Sequence, residues 1–264
     1  MKLFSKSGMG LGLAVAAVAM LTACGGGDDG IDDRLDLANP AVRVMHVVPA
    51  LDINLDVYQN GAKTSLQNIP YKFVARYSDV DDGNQLFSFN AAGTNTEVGR
   101  TTVDAAVGHK YTVAIMPSKP VGAGFNVVTI DDPYDKGIVS DKARVRALNA
   151  AGNTDNIDVY VTAPNADINT MAPTFANVAF GAAVPASGQD SLEIEGGTYQ
   201  IRITTAGTKT VIFNSGAVGI SENADWLITA LPVENISAVL PNNIKVLVAK
   251  ANDDSQTASE LTNQ

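Results

Sequence analysis

Hydrophobic and polar residues alternate along this chain in short runs, with the period of two that an extended strand imposes. In residues 42–46, VRVMH, Val42 and Val44 face one way while Arg43 and Met45 face the other. Leu55 and Val57 share one face, and Asp56 and Tyr58 the opposite one. Asn60-Gly61 follows at once, a pair suited to a type I′ hairpin turn because both central residues there need positive φ. The same pattern predicts further strands near 63–69, 73–80, 85–90, 96–103, 110–116 and 125–130. It resumes with Ile157, Val159 and Val161 alternating with Asp158 and Tyr160, and with Tyr199, Ile201 and Ile203 set against Gln200 and Arg202. Strands near 208–214, 225–231 and 244–249 complete the set. No amphipathic pattern is long enough for a major helix. Short strands broken by Gly, Pro, Asn and Asp predict an all-β sandwich or barrel.

The pattern occurs twice. Residues 42–58, VRVMHVVPALDINLDVY, match 145–160, VRALNAAGNTDNIDVY. Asn68-Ile69-Pro70-Tyr71 corresponds to Asn177-Val178-Ala179-Phe180, Gly83 and Gly93 to Gly197 and Gly207, and YTVAIMP at 111–117 to WLITALP at 226–232. A repeat of about 100 residues is too long for a solenoid unit and fits two tandem domains. The expected organisation is two Ig-like antiparallel β-sandwiches, 41–135 and 143–250, joined by DKGIVSDK at 135–142. The polar residues 251–264 are expected to fray.

Ahead of the repeats, Lys2 and Lys6 precede an apolar run at 9–23, MGLGLAVAAVAMLTA. The run is shorter than the roughly 20 residues of a membrane-spanning helix and has the length of a signal-peptide core. LTAC at 21–24 resembles the lipobox of bacterial lipoproteins. That resemblance implies a signal peptide over 1–23, cleavage between Ala23 and Cys24, and acylation of the Cys24 thiol, so that the membrane is reached through a lipid anchor. Gly25, where an inner-membrane protein of that kind usually has Asp, points to the outer membrane. Residues 25–40, GGGDDGIDDRLDLANP, carry five Asp against one Arg and read as a flexible tether. Their carboxylates lack the glycine spacing of a calcium loop.

Composition narrows the classes of function. The 264 residues are 45% hydrophobic, ample for sizeable cores, and carry a formal charge of −10. Without Lys2 and Lys6 the 18 basic residues become 16 against 28 acidic, a charge of −12. A surface this acidic repels phosphate backbones, and no basic run with interleaved aromatics occurs, so nucleic acid is excluded as a partner. Cys24 is the single cysteine, which rules out an internal disulfide.

The V-R-V-x-H opening, the D-V-Y strand, the Asn-Gly turn, the N-[IV]-x-[YF] step and the Y-T-V strand resemble the bacterial family catalogued as domain of unknown function 4397. The resemblance covers about 41–135 and 143–250, with Asn149 where the first copy has His46 and a longer insertion at 162–174. It implies secreted or lipid-anchored envelope proteins with tandem β-sandwich modules, and it supplies no catalytic residues.

Candidate chemistry is sparse. Histidine is the usual general base and metal ligand, and only His46 and His109 are present. His46 continues a buried-strand pattern, and His109 lies in a Gly-His-Lys turn expected to be exposed. No G-x-S-x-G nucleophile elbow occurs, and two histidines with one committed cysteine are too few for zinc. No catalytic residue, metal or cofactor is therefore expected. Asp56 with Tyr58, and Asp158 with Tyr160, are the candidate ligand-binding pairs, since carboxylates beside aromatics suit sugars or cationic groups. The competing role is structural, with Asp holding an adjacent turn through backbone N–H groups and Tyr bonded to a loop. Asp79, Asp81 and Asp82, and Asp131, Asp132 and Asp135, are expected in solvated turns, with calcium binding the alternative, and Trp226 in a core. The chain is thus expected to be a lipid-anchored, non-enzymatic envelope protein that binds or assembles with an envelope glycan or protein. The alternative is a periplasmic hydrolase acting on envelope polysaccharide or esters.

Overall fold

A computed structural model of the chain describes residues 37–49, 53–137, 139–251 and 253–264. The leader, Cys24 and most of the tether lie outside the described residues. Apart from short 3-10 turns at Ile168–Thr170 and Asn235–Val239, the regular elements described are strands.

The first half holds β1 (Ala41–His46), β2 (Leu55–Gln59), β3 (Ala62–Lys63), β4 (Ser78–Asp79), β5 (Gly83–Ala91), β6 (Glu97–Ala105), β7 (Lys110–Pro117) and β8 (Phe125–Asp132). They form an outer sheet ordered β3-β2-β5-β6 and an inner sheet ordered β4-β1-β7-β8. The second half holds β9 (Ala143–Asn149), β10 (Ile157–Thr162), β11 (Phe175–Val178), β12 (Ala183–Val184), β13 (Leu192–Ile194), β14 (Gly197–Thr205), β15 (Val211–Ile220), β16 (Asp225–Pro232), β17 (Ile244–Lys250) and β18 (Ser259–Leu261). Its outer sheet runs β11-β10-β14-β15, and its inner sheet β12-β9-β16-β17-β18, with β13 also on β9. The two outer orders correspond strand for strand, and the inner sheet of the second half adds β13 and β18 to a shared four-strand order. Pairing is antiparallel throughout, except that β1 lies parallel to β7 and β9 parallel to β16, at corresponding places.

Local chemistry sets the hairpins. Tyr58 pairs with Lys63 and Gln59 with Ala62 across a two-residue turn in which Asn60 (φ 49°) and Gly61 (φ 79°) both take positive φ. Within each sandwich one face of the alternating pattern forms the core. Val42, Val44, Val57, Phe87, Phe89 and Val113 pack together in the first, and Val145, Val159, Ile201, Ile203, Trp226 and Val246 in the second.

The opposite faces of the inner sheets do not meet water. They meet each other. Met45, Ala114, Met116 and Ile130 from the first half pack against Leu148, Leu227, Leu231, Leu247 and Ala249 from the second. The molecule is therefore four sheets deep, and every residue of β1, β7 and β9 is buried. Each fully buried Leu or Met contributes about 1.5–3 kcal/mol, so apolar contact is the main force joining the halves.

The last residues are ordered, against expectation. Val74 N–H donates to the Gln256 carbonyl and Ala258 N–H to the Lys72 carbonyl, while β18 pairs with β17 and Gln264 N–H reaches the Asn214 carbonyl. This segment borders both halves. Much of its attachment is through the backbone, which composition does not register, with Ala258 buried in the junction and Glu260 paired with Lys72.

Candidate functional site

The candidate Asp-Tyr pairs lie on the outer sheets, on the faces turned away from the cores. Asp56 Oδ1 accepts the Asn68 N–H (2.8 Å) and Oδ2 the Gly93 N–H (3.1 Å). Asp158 Oδ1 accepts the Asn177 N–H (2.7 Å) and Oδ2 the Gly207 N–H (2.8 Å). Asn68 and Asn177 both take positive φ, as do Gly93 and Gly207. Each asparagine side-chain oxygen is in turn held by a neighbouring amide, Asn54 in one half and Asn156 in the other. Each carboxylate thus clasps two loops, and both are buried. The bonds from Asn68 and Gly93 hold the Asp56 carboxyl below the usual carboxylate range.

The tyrosines differ. Tyr58 keeps part of its surface open, with the Lys63 ammonium 5.8 Å from its ring. Tyr160 is buried, and its hydroxyl accepts from Lys209 Nζ at 2.9 Å. The insertion at 162–174 accounts for the difference. Lys209 Nζ also bonds the Met171 carbonyl, and the Thr174 hydroxyl accepts the Val161 N–H, which lays the insertion along β10.

His46 is sealed from solvent at 1% exposure, edge-on to Tyr71. Burial lowers its pKa, opposed by a hydrogen bond to the Pro70 carbonyl. His109 was expected in an exposed turn but is half-buried. Its Nδ1 lies 2.7 Å from Asp131 Oδ1 and its ring stacks on Tyr111, because the β7–β8 register sets Asp131 beside it.

The densest chemistry is a buried charge cluster at one end of the junction. Asp132, expected in a solvated turn, ends β8 and faces the second half. Its Oδ1 accepts from Arg144 Nη2 at 2.5 Å, and its Oδ2 lies 3.4 Å from Arg146 Nη2. The Ser191 hydroxyl (2.7 Å) and the Tyr134 N–H (3.0 Å) complete its set. Burial works against the Asp132 carboxylate, but Arg144 and Arg146 outweigh it and hold its pKa below the usual range. Arg144 also lies over the Tyr134 ring at 4.4 Å, and Arg146 bonds the carbonyls of Pro185, Ala186 and Gln189.

On the facing strand Arg43 donates from Nε to Thr112 Oγ1 (2.9 Å) and lies 4.8 Å from the Tyr77 ring centre. Burial pushes the nearby Asp225 carboxyl above the usual range, against the pull of Arg43 and Arg144. Arg43 lines a cavity of about 10 Å³, room for about one water molecule. The sequence held a signal for this cluster, an Arg at the same step of both openings, but a two-period pattern reads such a residue as solvent-facing.

Among the described residues, no group of three or more His, Cys, Asp or Glu side chains could hold a metal ion. Wider clefts lie at the sandwich edges. One of about 650 Å³ is lined by residues that include Glu234, Asn235, Lys245 and Asn263. Another, of about 300 Å³, lies at the edge of the first sandwich beside Leu66 and Arg76.

Comparison with known proteins finds a family match over part of the chain. Residues 40–160 match the model described as Domain of unknown function (DUF4397). The DUF4397 match takes in the whole first sandwich, β9 and the first four residues of β10, including both Asp-Tyr pairs and both V-R openings. No curated protein matches the chain. Among solved structures, a crystal structure of CBMbc (family CBM26) from Eubacterium rectale Amy13K in complex with maltoheptaose is similar over 81% of this chain and 99% of that one, at 8% identity and a TM-score of 0.21. A likeness that distant carries no argument for this chain's ligand.

Proposed function

We propose that the protein is a lipid-anchored, non-enzymatic component of a bacterial cell envelope. In this reading two tandem copies of one sandwich form a single rigid body, tethered through residues 25–40 to an acylated Cys24. The body binds or assembles with an envelope glycan or protein. The observation that carries the reading is the use to which the reactive side chains are put. Asp56 and Asp158 hold loops, Asp132 holds the halves together, and His46 is closed off from solvent. The lipobox-like LTAC and the Gly after it support an anchor in the outer membrane.

Radioactive palmitate labelling of the full chain in a bacterial host tests the anchor. Cys24→Ala is expected to abolish the label and move the protein out of the membrane fraction, and undiminished labelling would overturn the anchor. Thermal unfolding against a panel of envelope polysaccharides tests binding. A ligand at a hundred times its Kd stabilises a fold by about 2.7 kcal/mol. Turnover of generic ester or glycoside substrates would overturn the non-enzymatic assignment.

A further inference from the structure

The second half carries two additions that the first lacks, and they meet. The loop between β16 and β17 spans eleven residues, 233–243, where its counterpart between β7 and β8 spans seven, 118–124. After β17 the chain runs on through β18 to Gln264, whereas after β8 it turns into the connection to β9. The open cleft of about 650 Å³ lies between the two additions, with Glu234 and Asn235 from the loop and Glu260 and Thr262 from the last segment among its lining residues. Its volume falls within the roughly 300–1,000 Å³ of small-molecule sites. Its lining is mainly polar, which suits a hydroxylated ligand.

The charges in the cleft are fixed in place. Lys245 is 7% exposed and holds a carboxylate from each addition, its Nζ 2.5 Å from Glu234 Oε1 and 3.6 Å from Glu260 Oε2. Lys72 of the first half takes Glu260 Oε2 at 2.6 Å. Burial works against the Glu260 charge, but Lys72 and Lys245 outweigh it and hold its pKa below the usual range. Two carboxylates against two ammoniums leave the group with no net charge, so it attracts neither anions nor cations. Glu234 Oε2 and Glu260 Oε1 have no protein partner among the described residues, and neither do the side chains of Asn235 and Thr262. Pinned acceptors beside an amide and a hydroxyl are the hydrogen-bonding complement of a sugar's hydroxyl groups.

We infer that this cleft binds a neutral oligosaccharide, with Glu234 and Glu260 accepting from its hydroxyls and Asn235 donating to its oxygens. The inference rests on the glycan-binding reading proposed above and gives it a place in the second half. An acidic glycan is disfavoured by the protein's overall charge of −10, and a cationic one meets carboxylates that are already paired. The lipid anchor plays no part in it.

The test is calorimetric titration of the full-length protein with cellohexaose, maltohexaose and xylohexaose, against oligogalacturonate and chitosan oligomers of the same length. At least one neutral oligomer is expected to bind saturably, tenfold or more tighter than either charged one. Asn235→Gly removes the amide while keeping the positive φ of 64° at this position free of strain. It should weaken that binding at least fivefold without lowering the unfolding temperature, and Glu234→Ala should weaken it at least tenfold. Wild-type affinity in both folded variants would overturn the cleft while leaving the glycan-binding reading intact. No saturable binding by any neutral oligomer would overturn the cleft together with that reading. Tighter binding of a charged oligomer would overturn the assignment of a neutral ligand.

Discussion

Replacing Asp132 by alanine removes the one carboxylate that Arg144 and Arg146 both engage, and it leaves two buried guanidinium charges without that counter-charge. The side chains of Arg144 and Arg146 are 1% and 4% exposed, so water cannot take over the lost contacts without entering the interface. Breaking a buried ion pair by removing one partner costs about 3–5 kcal/mol. Arg144 retains its contact with the Tyr134 ring, a bond to the Asp135 carbonyl and a longer approach to Asp190. Those contacts put the expected loss near the lower end, about 3 kcal/mol. For a domain of this size that corresponds to a fall in Tm of roughly 6–12 °C. Urea unfolding followed by circular dichroism and by Trp226 fluorescence measures it directly. The acid limb carries a second signature. The folded-state pKa of Asp132 lies below its unfolded value, so its contribution is present above the unfolded pKa and lost as pH falls through the folded one. The variant should lack that component of acid destabilisation. Arg100→Ala is the control, because the Arg100–Glu97 pair is largely exposed and should matter by less than about 1 kcal/mol. A loss below about 1 kcal/mol for Asp132→Ala would show that the cluster is screened by solvent, and the reasoning would fail.

Other outcomes follow from the clasps and the sealed histidine. Asp158→Ala removes two charge-assisted bonds to backbone N–H groups, each worth about 1.5–3 kcal/mol. It should destabilise the protein by about 3–6 kcal/mol in urea unfolding, with the largest gain in hydrogen exchange at Asn177 and Gly207. Asp56→Ala should produce the same pattern at Asn68 and Gly93. His46 has a folded-state pKa below its unfolded value of about 6.5, so its share of stability is complete above that pH and falls away as pH drops toward the folded pKa. His46→Asn, which installs the residue found at the same step of the second half, should flatten the stability profile below pH 6.5. A slope unchanged from the parent protein would assign the acid sensitivity to another group.

Much of the fold could be read in the sequence because strands announce themselves through alternation and turns through Asn and Gly. Tyr58 to Lys63 is a case where the local code was sufficient. The junction was hidden for a physical reason. Arg43, Arg144 and Arg146 sit at polar positions of strands whose other face is core, and that pattern is identical whether the polar face meets water or a second sheet. Only the pairing of the two halves decides it, and that pairing depends on contacts some hundred residues apart in sequence. The 251–264 segment was hidden for a related reason, since an edge strand held largely by its backbone needs few apolar side chains. The Asp-Tyr pairs were visible as recurring polar residues, but the destinations of their oxygens depend on loops that alternation does not describe.

The junction also has a consequence for assembly. Arg43 and Met45 of β1 stand where Arg146 and Leu148 stand in β9, and the same sheet face from each half is buried against the other. An isologous homodimer of single sandwiches would use its surface in this way. Such a dimer comes apart on dilution, whereas partners joined by a short linker see each other at millimolar effective concentration. With both partners in one chain, the paired state becomes independent of abundance. A sparse population would be as fully assembled as a crowded one.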